Sequence, residues 1–214
     1  MAEGIKDKVA IIGMGCTKFG ELWDKSTEDL LIDAFKEALE DAGIETKDIQ
    51  AAWLGNQLTE VDTGHSALPV PAALRLPFIP VTRVENLCAS GTEAIRGACY
   101  AVASGACDIA LAIGVEKIKD IGYGGLPRVN EDLMAFGPRG RIILPGWANP
   151  NPGCFAMMAM KYFERYGLSI EEGKRTLAKI SVKSHHNGTL NPKAHLRREI
   201  TIENVLNAPV ITWP

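Results

Sequence analysis

Cys88 is the residue with the strongest claim to chemistry. It lies in Val84-Glu85-Asn86-Leu87-Cys88-Ala89-Ser90-Gly91-Thr92-Glu93-Ala94. A short apolar-edged strand, Val81 to Asn86, runs there into a small-residue turn, and helical periodicity begins at about Ser90. The thiol therefore stands where a strand hands over to the N-terminus of a helix. Unpaired backbone N–H groups and the positive end of the helix dipole lie at such a point, and that setting favours the nucleophilic thiolate. A buried, inert cysteine at a strand end is the competing reading, since free cysteines are among the most buried residues.

Other candidates are weaker. The five cysteines have no paired spacing and no CxxC, which leaves zinc-ribbon and thioredoxin readings without support. His185 and His186 are adjacent and would point in different directions on a helix, a poor metal pair. Gly13-Met14-Gly15 follows the apolar run Val9-Ala10-Ile11-Ile12-Gly13, but Lys18 stands where a dinucleotide fingerprint needs its third glycine. Those glycines are expected to serve a tight turn. Lys193 with Arg197-Arg198 forms a small basic cluster suited to a solvated face or a nucleotide phosphate. Met157, Met158 and Met160 fall on a predicted helix. They fit core filling, and Phe155, Met157 and Met158 also suit a flexible acyl pocket.

The elements that would position Cys88 read as alternating strands and helices. Val9 to Gly13 is a continuous apolar run, as expected of a strand buried on both faces. A helix is predicted over about Thr27 to Ala42, with an apolar stripe of Leu30, Leu31, Ala34, Phe35, Ala38, Leu39 and Ala42. Ser26 can cap it, with Asp29 three residues on, and Gly43 suits the left-handed residue after its end. Ile49 to Leu54 reads as a second strand, Ala67 to Leu74 as a short helix containing Pro69 and Pro71, and Val81 to Asn86 as a third strand. A helix from about Ser90 to Ser104, rich in Ala and Gly, is expected to be buried on most sides, including against another copy of the chain. Asp108 to Gly114 reads as a fourth buried strand.

This order predicts an α/β fold with a mostly parallel sheet and helices on both faces. Ligands bind such sheets beyond the carboxyl ends of the strands, where Cys88 lies. After Glu116 the character changes. Residues 122 to 152 are loop-rich in Gly and Pro, followed by helices over about Cys154 to Tyr166 and Ile170 to His186, the second ending at His186-Asn187-Gly188.

Composition sets the outer bounds. The 214 residues are 46% apolar and 23% charged, ordinary for a globular protein. A net charge of -3 without a dense Lys/Arg block argues against nucleic acid as the main partner. No apolar run reaches the roughly 18 residues of a membrane span, and the polar N-terminus carries no signal-peptide stretch. Unpaired cysteines fit a reducing compartment, so a cytoplasmic location is expected.

The residues resemble the thiolase family, closest to its sterol-carrier-protein-type and archaeal-type branch. Asn86-Leu87-Cys88-Ala89-Ser90-Gly91 is similar to the thiolase nucleophile motif. Gly105-Ala106-Cys107-Asp108 with Ala110-Leu111-Ala112-Ile113-Gly114-Val115-Glu116-Lys117 resembles the next strand and its Gly-x-Glu ending. Val9 to Gly13 followed by Thr17-Lys18-Phe19-Gly20 also fits the branch. The resemblance implies a thiolase-like N-terminal α/β domain over 1–117, lacking its last strand, and a helical, irregular loop domain over 118–214 that covers the active site and helps hold coenzyme A. It implies that Cys88 takes an acyl group from an acyl-CoA as a thioester, in 3-ketoacyl-CoA thiolysis or Claisen condensation. Coenzyme A thioesters would be substrates, with no bound cofactor and no metal. It implies a homodimer or dimer of dimers through the 81–104 region, and in this branch a small zinc-ribbon and OB-type partner protein.

The sequence also departs from the family. The His-bearing motifs and the Cys-x-Gly motif of a second thiolase half do not occur in these residues, and His185-His186-Asn187-Gly188 matches none of them. The expectation is half a thiolase, poorly stable or associating without its other half. Two alternatives stand beside an acyltransferase: a catalytically silent thiolase-like subunit that dimerises or scaffolds, and a related ketoacyl or HMG-CoA-forming condensing enzyme.

Overall fold

The computed structural model describes residues 4–57, 66–118 and 150–213. The chain divides into two compact units, Met1–Gly125 and Leu126–Pro214.

The first unit is built on a three-stranded parallel sheet, β1 (Ala51–Gly55), β2 (Val81–Val84) and β3 (Ala110–Gly114), in the order β2-β1-β3. Trp53 is opposite Thr82 on one side and Ala112 on the other. Because side chains alternate along a strand, the central strand serves two layers. Leu54 points into a core with Leu31 and Phe35 of α1 (Thr27–Ala42), Val70 and Leu74 of α2 (Pro69–Leu74), and Ile113 of β3. Trp53 and Gly55 face the other way, onto α3 (Ser90–Ala103). There the Trp53 ring lies where a Cβ on Gly97 would be, and the Ser90 carbonyl oxygen lies 2.6 Å from where a Cβ on Gly55 would be. Leu31, Leu54 and Val70 are fully buried, each worth about 1.5–3 kcal/mol.

The helix starts follow their sequence signals. Ser26 accepts from the Asp29 amide and Asp29 returns to the Ser26 amide, a capping box. That bonding holds the Asp29 carboxyl below its ordinary range. Gly43 ends α1 in the left-handed region at φ 67°. Pro69 opens α2, where its missing N–H costs nothing.

Val9 to Gly13, expected as a buried strand, is not one. Ile11 and Ile12 are 77% and 53% exposed. The backbone here is committed to α1 instead: the Met14 amide donates to Asp41 at 2.8 Å and the Cys16 amide to Glu37 at 2.9 Å. Gly13 and Gly15, expected in a turn, are close-approach positions. A Cβ on Gly13 would sit 2.6 Å from the Ala38 oxygen, and one on Gly15 would overlap the Ala34 carbonyl.

The remaining elements of this unit are shifted or trimmed. The second expected strand runs from Ala51 rather than Ile49, and the fourth from Ala110 rather than Asp108. The burial expected around the Ala/Gly helix is one-sided in the chain by itself. Ser90, Ala94 and Ala98 are buried, while Ile95 and Tyr100 are 53% and 52% exposed.

The second unit, as described, is helical: α4 (Pro150–Arg165), α5 (Ile170–Leu190) and α6 (Ile202–Leu206). Pro150 and Pro152, read as loop, belong to the start of α4; the rest of the 122–149 stretch lies outside the described residues. Ser169 caps α5 through a box with Glu172, whose carboxyl is held low by the Ser169 amide and hydroxyl. The helix does not stop at His186-Asn187-Gly188 but continues to Leu190. Gly188 stays helical and lets the Leu196 carbonyl oxygen come within 2.5 Å of its missing Cβ. His186 Nδ1 meets Glu199 at 2.8 Å and His185 Nδ1 meets the Arg198 carbonyl at 3.1 Å, so both histidines fasten the returning chain. Lys174 lies 4.6 Å over the Trp213 ring and ties down the end of the described chain.

Candidate active site

β2 ends at Val84, two residues short of the expected Asn86, because the chain turns to meet α3. The Asn86 amide is taken by the Ser90 hydroxyl oxygen at 2.9 Å, and the Leu87 amide by the Glu85 carboxylate at 2.6 Å. The Ser90 hydroxyl donates in turn to the Leu87 carbonyl at 2.7 Å. The Ser90 amide reaches the same carbonyl at 3.1 Å, and the Ala89 amide reaches the Asn86 carbonyl at 2.9 Å. Leu87 is thereby held at φ 47°, a left-handed conformation that a leucine adopts at a cost.

Cys88 sits at the tip of this turn and is exposed. The competing expectation of a buried Cys88 does not hold. The arrangement is a sharp strand-to-helix turn with a thiol-bearing tip, similar in its mechanics to a nucleophile elbow.

The carboxyl ends of the strands are themselves tied together by polar side chains. Asn56, fully buried, donates from Nδ2 to the Val115 carbonyl at 3.1 Å. Its Oδ1 accepts from Arg83 Nε at 3.2 Å and Nη2 at 3.1 Å, and the Asn56 carbonyl accepts from Arg83 Nη2 at 2.8 Å. The Gln57 amide donates to Glu116 at 2.5 Å. One side chain from each of the three strand ends thus enters a single network, so the ends cannot slide past one another without leaving a buried amide unpaired. Lys117, also buried, donates to the carbonyls of Leu22 (3.1 Å) and Lys25.

The other predicted site residues lie in the second unit. Phe155, Met157 and Met158 are on α4 and are 70%, 46% and 66% exposed, so Met157 and Met158 are not core filler of that unit. Ala156 and Phe163 fill its interior instead. Among the described residues, no group of three or more His, Cys, Asp or Glu side chains is arranged to hold a metal ion.

The sequence singles out Cys88 but not the bonds that hold its turn. The roles of Glu85 and Ser90 leave one readable trace: Ser90 follows Asn86 by four residues, a reach that lets a side chain in the first helical turn bond back across the preceding turn. Gly55 left none, since its contact with Ser90 exists only once β1 and α3 are packed together.

Comparison with known proteins places this geometry in a family. Residues 9–208 match the family described as thiolase, N-terminal domain. The chain belongs to the thiolase family. It is 38% identical over 208 residues to an acetyl-CoA acetyltransferase of Methanocaldococcus jannaschii, aligning 96% of this chain with 50% of the relative. It is 31% identical to the benzoylsuccinyl-CoA thiolase subunit BbsB of Thauera aromatica, aligning 98% of this chain with 51% of that one. The chain thus spans about half the length of these relatives. Among solved structures, one described as the Ltp2-ChsH2(DUF35) aldolase superimposes with a TM-score of 0.72 at 22% identity, over 96% of this chain and 50% of that one; this is a likeness of fold.

Proposed function

We propose that the protein is a thiolase-type acyl-CoA C-acyltransferase in which Cys88 carries the acyl group. The observation that supports this most directly is the exposed thiol at the tip of a braced strand-to-helix turn, at the carboxyl end of a parallel sheet. In the first step the Cys88 sulfur attacks the thioester carbonyl of an acyl-CoA. The carbon–sulfur bond to coenzyme A breaks, and coenzyme A leaves as its thiol with the proton that Cys88 gave up. In the second step the α-carbanion of another acyl-CoA attacks the Cys88 thioester, a carbon–carbon bond forms, and the Cys88 sulfur is released. The products are a 3-ketoacyl-CoA and free coenzyme A; thiolysis runs the same steps in reverse.

Both steps need bases and donors to the oxyanion. By the family resemblance these come from the half of the fold that the aligned region of the relatives does not include. Phe155, Met157 and Met158 are proposed as acyl-contacting residues on their apolar, exposed character. A dimer through the 81–104 region is supported by the exposed Ile95 and Tyr100 on α3. A zinc-ribbon and OB-type partner rests on the resemblance alone.

Incubation with acetyl-CoA, followed by intact-mass measurement and peptide mapping, tests the proposal. An acetyl group on Cys88, absent in Cys88→Ser, is the expected result. No adduct, even with the completing half supplied, would favour the second reading: a thiolase-like subunit that assembles without turning over.

A further inference from the structure

We propose that Ser90 is a positioning residue for Cys88, acting through Leu87; this rests on the reading of Cys88 as the acyl carrier. Leu87 is one of three non-glycine residues with positive φ among those described, and it directly precedes the nucleophile. Both its backbone polar groups are held. Its amide donates to Glu85, and its carbonyl accepts from the Ser90 hydroxyl at 2.7 Å and the Ser90 amide at 3.1 Å. The same hydroxyl oxygen accepts from the Asn86 amide at 2.9 Å. One side chain therefore bonds to both residues that lead into Cys88.

The rigidity of Ser90 comes from below. Its residue is 5% exposed, and its carbonyl rests on Gly55 at the end of the central strand. A hydroxyl anchored to the sheet thus keeps Leu87 left-handed. The left-handed turn in turn fixes where the Cys88 sulfur points. Without the hydroxyl, Leu87 relaxes toward the ordinary φ region and Cys88 loses its fixed direction while staying exposed.

The geometry predicts a split between two reactions of one thiol. Iodoacetamide, a small reagent, needs only an accessible sulfur. Acetyl transfer needs the sulfur aimed at a bound thioester, and misplacement by about 1 Å costs about 100-fold.

The test follows the acetylation of Cys88 by acetyl-CoA, and its alkylation by iodoacetamide, in the full chain with its completing half supplied. Four proteins are compared: wild type, Ser90→Ala, Ser90→Thr, and Ser90→Ala combined with Leu87→Gly. Ser90→Ala is expected to acetylate about 100-fold more slowly, with no recovery at saturating acetyl-CoA, while alkylating at nearly the wild-type rate. Ser90→Thr keeps the hydroxyl and most of the acetylation. Glycine at 87 takes positive φ freely, so the double variant recovers at least about a tenth of the wild-type rate.

Several outcomes would overturn the positioning role. They are Ser90→Ala acetylating like wild type, Ser90→Thr as slow as Ser90→Ala, or a double variant no faster than Ser90→Ala. A wild-type protein that alkylates at Cys88 but never acetylates would overturn the reading of Cys88 itself, and the wild-type control reveals that separately.

Discussion

The two ends of α3 hold cysteines in opposite circumstances. Cys88 precedes the helix by two residues and stands exposed on a turn held by Ser90 and Glu85. Cys107 follows the helix, beyond the left-handed Gly105 at φ 75°, and is 9% exposed. Burial pushes the Cys107 thiol upward from its ordinary 9.0, and the neighbouring Asp108 charge adds to the rise. The same element, built from the same small residues, therefore presents one thiol and shelters another. Being a cysteine beside a helix does not decide accessibility; which end it occupies and how the adjoining turn is bonded does.

The widest separation should appear on labelling. In the folded protein near neutral pH, iodoacetamide is expected to modify Cys88 at least about 50-fold faster than Cys107. In concentrated urea the ratio should fall to near unity, followed by peptide mapping; a ratio that survives unfolding would mean the fold is not its source.

A smaller but more pointed effect is expected from Gly55→Ala. The added methyl would meet the Ser90 carbonyl oxygen at 2.6 Å. Forcing that contact should cost about 1–3 kcal/mol of stability, measured by urea unfolding, and should disturb the Cys88 end alone. Acetylation at Cys88 drops while Cys107 stays protected. Loss of protection at both cysteines would show that the two ends do not respond independently.

Alkaline titration sharpens the other end. With the folded pKa of Cys107 raised above 9.0, the unfolded chain releases this proton first. Its contribution to stability is full below 9.0 and declines as pH climbs above that value. Urea midpoints at about pH 8 and about pH 10 should differ less in Cys107→Ala than in wild type. The smallest expected change belongs to Asp108→Asn. It removes only the lesser cause of the rise, so Cys107 alkylation should quicken by no more than about 2-fold and Cys88 should not respond.

Much of this was legible in the residues, for identifiable reasons. α1 was readable from end to end because its cap, its apolar stripe and its terminal glycine are all local signals. Cys88 was legible as a residue between two period changes, strand to helix. The apolar run at Val9 to Gly13 misled because apolarity reports a wish for burial and says nothing about which backbone groups will pair. Here Asp41 and Glu37 took the nearby amides. His186-Asn187-Gly188 misled for a related reason: a glycine that looked like a helix end was a place for the Leu196 carbonyl to approach. The clasp at Ser90 and the network at Asn56 depend on residues brought together only by the sheet, and no window of sequence contains them.

The Lys117 ammonium group has a consequence for the order of events during folding. It closes onto the carbonyls of Leu22 and Lys25, some 92 to 95 residues earlier in the chain. Contacts of such long separation form after local ones, since the intervening chain must first be gathered in. The loop before α1 is therefore made early in synthesis and completed late. It gains these two bonds only once residue 117 has been made and has come into reach.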